Sequence, residues 1–188
     1  MIFLSLDLET NGLVPGRNGV ATIGAVPVVR HRGAWDVNLT RTFYAELQPQ
    51  DGMQVDPESV SVHGLDEDYL RGNGAPVVEA LIAFRDYMSD LRERYGRVRP
   101  AAWPSSIDVP FLSFLSATHL GEDLIGKSTI DIPSFAMGRL GCTDRRRLQH
   151  VMKQAGFIAP ENHHKHNALA DAIEQAETLA WLLNYRPD

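Results

Sequence analysis

The segment from Ile2 to Glu9 constrains this chain more than any other. Ile2, Leu4, Leu6 and Leu8 alternate with Phe3, Ser5, Asp7 and Glu9. A period of two reads as a β-strand with one apolar face to cover. The turn formers Thr10, Asn11 and Gly12 end it. Asp7 and Glu9 lie at i and i+2, so both carboxylates point to the same side with backbone positions about 7 Å apart. Like charges held that close repel, and withdrawing them from water is costly unless cations neutralise them. Carboxylate oxygens suit hard divalent ions such as Mg²⁺ or Mn²⁺. A polar strand face turned to solvent, with Gly12 closing a turn, explains the same residues. This segment alone leaves both readings open.

The rest of the chain supplies partners for that strand. Val20 to Val29 and Thr40 to Leu47 read as two further strands, and short connections predict an antiparallel meander of the first three. Asp56-Pro57 reads as a cap followed by Pro at the first helical position, with Gly64 closing a short helix. Val77, Leu81, Phe84, Met88 and Leu91 repeat at helical spacing, which predicts a helix over 75–95 ended by Gly96. Val98 to Trp103 reads as a fourth strand, and Val109-Pro110 as the opening of another helix. Thr143 is a candidate cap for a helix through Ala155. A last helix runs from about His166 to Leu183. Strands first, then alternating strands and helices, predict an α/β fold with a mixed sheet.

The chain has 188 residues, which fits one domain over 1–188. Its formal net charge of −6 excludes a histone-like polycation and directs any nucleic-acid contact to local patches or bound cations. The single cysteine, Cys142, excludes a disulfide framework and a Cys-rich zinc site. It agrees with a cytoplasmic location. The N-terminus lacks a basic n-region, and Asp7 interrupts its apolar run, so it does not read as a signal peptide. No stretch approaches the ~20 apolar residues of a membrane span.

Two other acids invite chemistry. Asp108 stands where the fourth strand meets the next helix, a position that suits either a metal ligand or a helix cap. Asp171 follows His166 by five residues, a step that turns a helix by about 140°, so the two share no helical face. They converge if His166 sits on the loop or first turn and Asp171 lies within the helix. Asp171 falls opposite Leu169 on the helical wheel, and periodicity alone leaves it in solvent. Small Ala168, Ala170 and Ala172 would let this helix approach another element closely. His163 and His164 read as solvated, as do Arg145, Arg146 and Arg147, which point in different directions on a helix. Asp131 reads as a cap or a structural acid.

Together these stretches resemble the DnaQ-like, DEDDh-type 3′–5′ exonuclease superfamily. Asp7, Glu9, Thr10 and Gly12 match its D-x-E-T-x-G motif. His166, Leu169, Asp171 and Ala172 match its H-x-x-x-x-D motif, and Val62-His63-Gly64-Leu65 fits its V-H-G-[IL] segment. The second acidic motif departs from the family: Ile107 stands where an aromatic is usual, and Ser105 and Ser106 replace an amide-bearing neighbourhood. Asn167, not tyrosine, lies four before Asp171, which disfavours the tyrosine-type subfamily.

The resemblance implies a ribonuclease H-like mixed sheet flanked by helices. It also implies two Mg²⁺ or Mn²⁺ ions on Asp7, Glu9, Asp108 and Asp171, and His166 as general base. The expected substrate is a single-stranded 3′ end of DNA or RNA, released as nucleoside 5′-monophosphates. Thr10, Asn11 and Gly12 would offer backbone N–H groups to the terminal nucleotide. Leu13 would lie against its base, or simply flank the turn. His63 would approach the same nucleotide, or stand at the surface. Stand-alone relatives commonly dimerise, so a homodimer is compatible with the resemblance. An oligoribonuclease, another phosphodiesterase on the same fold, and a non-catalytic nucleic-acid-binding module are the alternatives.

Overall fold

The computed structural model describes residues 1–162, 164 and 166–186. Its centre is a six-stranded mixed sheet. β1 (Ile2–Thr10) pairs antiparallel with β2 (Val20–His31) on one edge and parallel with β5 (Val98–Ala102) on the other. A two-residue β6 (Ile130–Asp131) extends the sheet parallel to β5. The far edge of β2 carries two short antiparallel strands end to end, β3 (Ala34–Val37) and β4 (Phe43–Glu46). A single 3-10 turn over Leu39–Arg41, capped by Asn38, separates them. The one strand expected over 40–47 is therefore β4 alone. β3 is an addition: its residues alternate, Trp35 and Val37 against the core, but four residues are too few to read as a strand.

The alternation of β1 sorts the core into two layers. Leu4, Leu6 and Leu8 face α3 (Val77–Tyr95) and α4 (Ser105–Leu120), against Leu81, Phe84, Met88, Phe111 and Leu112. Phe3 faces the opposite layer. There Val26, Val28 and Ala101 meet α5 (Ile132–Leu140), α6 (Leu148–Gln154) and α7 (Ala168–Asn184). Asp7 and Glu9 share Phe3's side of the strand, beneath the first turn of α7. Burial of these apolar side chains supplies about 1.5–3 kcal/mol each.

Several helix starts differ from the expectation. α1 (Pro57–His63) is capped by Asp56 and closed by Gly64 as predicted. A second short helix, α2 (Glu67–Asn73), follows under an Asp66 cap. α4 opens at Ser105, not at Val109, so Asp108 lies inside its first turn and Pro110 lies within the helix. The start is set from outside the segment: Asp131 Oδ1 accepts from the Ser105 N–H at 2.9 Å, while its Oδ2 accepts from Ser134 N–H at 3.0 Å. Asp131 thus caps two helices, α4 and α5. The cap is not Thr143 but Asp144, which caps a 3-10 turn over Arg145–Arg147 that leads into α6.

Candidate active site

The acids converge where β1 leaves its neighbour. β5 pairs with β1 only from Ile2 to Ser5, so the edge beyond is open. The Leu8 N–H that β5 leaves unpaired donates to Asp108 Oδ1 at 3.0 Å. Asp108 is only 5% exposed, and this bond seats it between Asp7 and Glu9 along the strand. On the other edge Asp7 pairs with Gly24. A Cβ on Gly24 would stand 2.2 Å from the Ala168 carbonyl oxygen, so glycine there lets the N-terminus of α7 lie against the sheet beside Asp7.

That close approach brings Asp171 in from solvent. One carboxylate oxygen each from Asp7, Glu9 and Asp171 lies within 4.8 Å of the others. Asp171 is heavily bonded: Asn162 Nδ2 donates to Oδ1 at 2.6 Å, and the His166 N–H donates to Oδ2 at 2.9 Å. Gln175, one turn further along α7, donates from Nε2 to Asp7 Oδ1 at 2.6 Å. Asn162 also bonds Glu174 at 3.0 Å.

The charges are frustrated. Burial, then repulsion from Asp108, Glu9 and Asp171, holds the Asp7 carboxyl well above the usual range, and the Gln175 bond offsets only part. Glu9 is pushed up to about 7 by burial first, then by Asp171 and Asp108. Burial raises Asp108 to about 7 despite the Leu8 bond. Among the described residues Glu9 Oε1, though buried, has no hydrogen-bond partner. An all-oxygen donor set with an orphaned buried oxygen and unbalanced negative charge fits hard divalent cations.

His166 precedes α7 in the left-handed region, φ 64°, a conformation that costs a non-glycine residue energy and recurs at functional positions. It is exposed and lines a cavity of about 480 Å³ with Glu9, His63, Leu65 and Tyr44. Asn167 caps α7, its Oδ1 accepting from Ala170 N–H at 3.1 Å, and it lines the same cavity as Tyr44. Tyr44 in turn donates to Glu46 Oε1 at 3.0 Å. The His63 Nδ1 accepts from Leu65 N–H at 3.0 Å, and burial followed by nearby His166 lowers its pKa.

The turn after β1 is less open than expected. Of the three N–H groups expected to be free, that of Asn11 is committed: it bonds the Gly19 carbonyl at 2.9 Å. Thr10 Oγ1 donates to the Gly12 carbonyl at 2.7 Å. Leu13 is 69% exposed. The turn is tied to α1 by the Asp56 N–H, which bonds Asn11 O at 2.8 Å. His164 is exposed, and His163 lies outside the described residues.

The sequence reading missed Asn162, Gln175 and Gly24. Gln175 lies four residues after Asp171, one turn along the same helical face, so its spacing carried the signal. Gly24 and Asn162 carried none.

A mixed sheet whose first strand presents paired carboxylates to an incoming helical Asp defines a ribonuclease H-like nuclease fold. Comparison with known proteins agrees. The profile of the RNase_T family, described as Exonuclease, matches residues 4–179, and the chain belongs to that family. It is 27% identical over 176 residues to the 3′–5′ DNA exonuclease Cap18 of Escherichia coli, covering 94% of this chain and 88% of that protein. The nuclease domain of 3′hExo, a DEDDh family member solved with rAMP, superposes with a TM-score of 0.73 at 15% identity, over 100% of this chain and 96% of that one. Exonuclease I of E. coli with a dT13 oligonucleotide gives a TM-score of 0.75 at 16% identity, over 99% of this chain and 42% of that one. The protein is thus a 3′–5′ exonuclease of the DnaQ-like superfamily. Among the described residues no helix is long and apolar enough to cross a membrane.

Proposed function

We propose that the protein hydrolyses the terminal phosphodiester of single-stranded 3′ ends, with Asp7, Glu9, Asp108 and Asp171 holding two Mg²⁺ or Mn²⁺ ions and His166 acting as general base. When bound, the ions activate a water and offset charge on the leaving oxygen. His166 takes the proton of the attacking water as the water oxygen bonds to phosphorus. The bond from phosphorus to the leaving O3′ breaks, O3′ gains a proton from solvent, and a nucleoside 5′-monophosphate departs. Imidazole is the side chain most often used for general-base proton transfer. Its backbone bond to Asp171 keeps the residue beside the carboxylates. Gly12, Leu13 and His63 border the space for the terminal nucleotide, with Thr10 and Asn11 shaping the turn.

The observation that carries this reading is the convergence of one carboxylate oxygen each from Asp7, Glu9 and Asp171 within 4.8 Å, beside a buried Glu9 oxygen with no hydrogen-bond partner among the described residues. The relative at 27% identity is named as a DNA exonuclease, which supports DNA as the first substrate to try. Matched DNA and RNA strands labelled at the 3′ or the 5′ end test the reading. The 3′ label is expected to leave first, as a mononucleotide, only when Mg²⁺ or Mn²⁺ is present. Release of the 5′ label first, or full activity in EDTA, overturns it.

A further inference from the structure

The inner face of α7 runs Ala168, Ala172, Gln175, Ala176, Leu179, at the spacing of a helix laid on a sheet. The other four are apolar and fully buried; Gln175, at 9% exposure, is the exception in kind. Burying a carboxamide is unfavourable unless its polar groups are bonded. Here one half is: Nε2 donates to Asp7 Oδ1 at 2.6 Å, while Oε1 is buried with no hydrogen-bond partner among the described residues. A half-satisfied buried amide adds little to stability, which an apolar side chain of similar size would serve as well. What the amide does supply is a hold on Asp7.

Asp7 needs one. The Leu8 N–H fixes Asp108, and Asn162 with the His166 N–H fixes Asp171. Among the described residues Gln175 is the one hydrogen-bond donor to the Asp7 carboxylate. Asp108, Glu9 and Asp171 all repel that carboxylate. Free to rotate, it would turn from them, and the oxygens that lie within 4.8 Å would spread apart. The Gln175 bond opposes that rotation. Its donor carries no charge, so the negative charge that attracts a divalent ion is kept. A lysine at this place would hold Asp7 as firmly but would stand in for the ion.

We infer that Gln175 is a positioning residue of the metal site, holding the Asp7 carboxylate toward Glu9 and Asp171 through an uncharged donor. The inference rests on Asp7 being a metal ligand, as in the reading above. Mn²⁺ titration of the full chain by calorimetry tests it, beside melting curves in EDTA and cleavage of a 3′-labelled DNA strand. Gln175→Met keeps an unbranched side chain and removes the donor. It is expected to bind Mn²⁺ about 10- to 100-fold more weakly, the usual loss when a partner of a ligating group is removed. At saturating Mn²⁺ its kcat should stay below the parent's, with KM for the strand unchanged. Mn²⁺ affinity equal to the parent's overturns the inference.

Gln175→Lys separates positioning from packing. Its ammonium keeps a donor and relieves the repulsion on Asp7, so its Tm in EDTA is expected to equal or exceed that of Gln175→Met while its Mn²⁺ affinity is lower still. Mn²⁺ affinity that simply follows Tm across the three proteins marks Gln175 as packing and overturns the inference. If the lysine variant does not fold, Gln175→Met decides alone. Failure of the underlying reading looks different: Asp7→Ala then binds Mn²⁺ as the parent does, whichever residue stands at 175.

Discussion

The two walls of the site are built differently. One is made of regular structure: Asp7 and Glu9 on β1, Asp108 in the first turn of α4, and the Leu8 N–H joining them. The other is a loop leading to α7, where His166 is exposed and its backbone makes one bond to Asp171. Rigid, buried carboxylates can be forced into mutual repulsion because the sheet and two core layers hold them. The exposed histidine keeps solvent access, and its strain lies in its own backbone. Under the proposed function, metal holding and proton transfer fall to parts of the molecule with different mechanical character, and substitutions should separate them.

The sharpest break is at the rigid wall. Asp7→Ala deletes a carboxylate from the converging set and leaves cation charge less compensated. It is expected to bring turnover to background and to weaken Mn²⁺ binding, measured by isothermal titration. His166→Ala comes next: turnover should fall on the order of 10²–10⁴-fold with Mn²⁺ binding nearly intact. Equal loss of metal by both variants would erase the distinction between the walls.

Proton inventory sharpens the comparison further. Without metal, folded Glu9 and Asp108 titrate at about 7, above their ordinary values of 4.5 and 3.8. Between those limits the folded chain binds more protons than the unfolded chain. Stability in EDTA should therefore fall as pH rises from about 4 to 7 and stay low above it. Melting curves at pH 5 and pH 8 check the sign. Metal must displace these protons, so Mn²⁺ affinity should climb up to about tenfold per pH unit for each proton released, levelling above pH 7.

The rigid wall was also the legible one. Alternation in Ile2–Glu9 identified the strand and both acids, because one buried face enforces the period. The Asp56 cap with Pro57, and the apolar stripe of α3, were equally local. Asp108 was legible as an acid but not in its setting. The start of α4 depends on Asp131, distant in sequence, whose carboxylate caps Ser105. Asp171 read as solvent-facing because a helical wheel knows nothing of the glycine opposite. Gly24 removes the Cβ that would meet Ala168, which lets α7 descend on Asp7. Gly24→Ala should cost about 1–3 kcal/mol by overpacking and weaken Mn²⁺ binding as Asp171 withdraws; unchanged Mn²⁺ affinity would show that α7 is placed by other contacts.

The smallest expected effect probes the joint between the walls. Asn167 ends the loop and begins α7, with its Oδ1 on the Ala170 N–H at 3.1 Å. Asn167→Ala removes that cap, at a cost of about 1 kcal/mol, which for a domain of this length lowers Tm by roughly 2–4 °C. Asp66→Ala at α2 removes an equivalent cap, on Asp68 N–H at 2.9 Å, far along the chain from the loop. The two variants should lose similar Tm. Only Asn167→Ala should also lower kcat, because its cap on the Ala170 N–H fixes the peptide next to His166. Equal kcat in both variants would mean that the His166 backbone bond to Asp171 suffices to place the base, and that the loop wall needs no help from the cap.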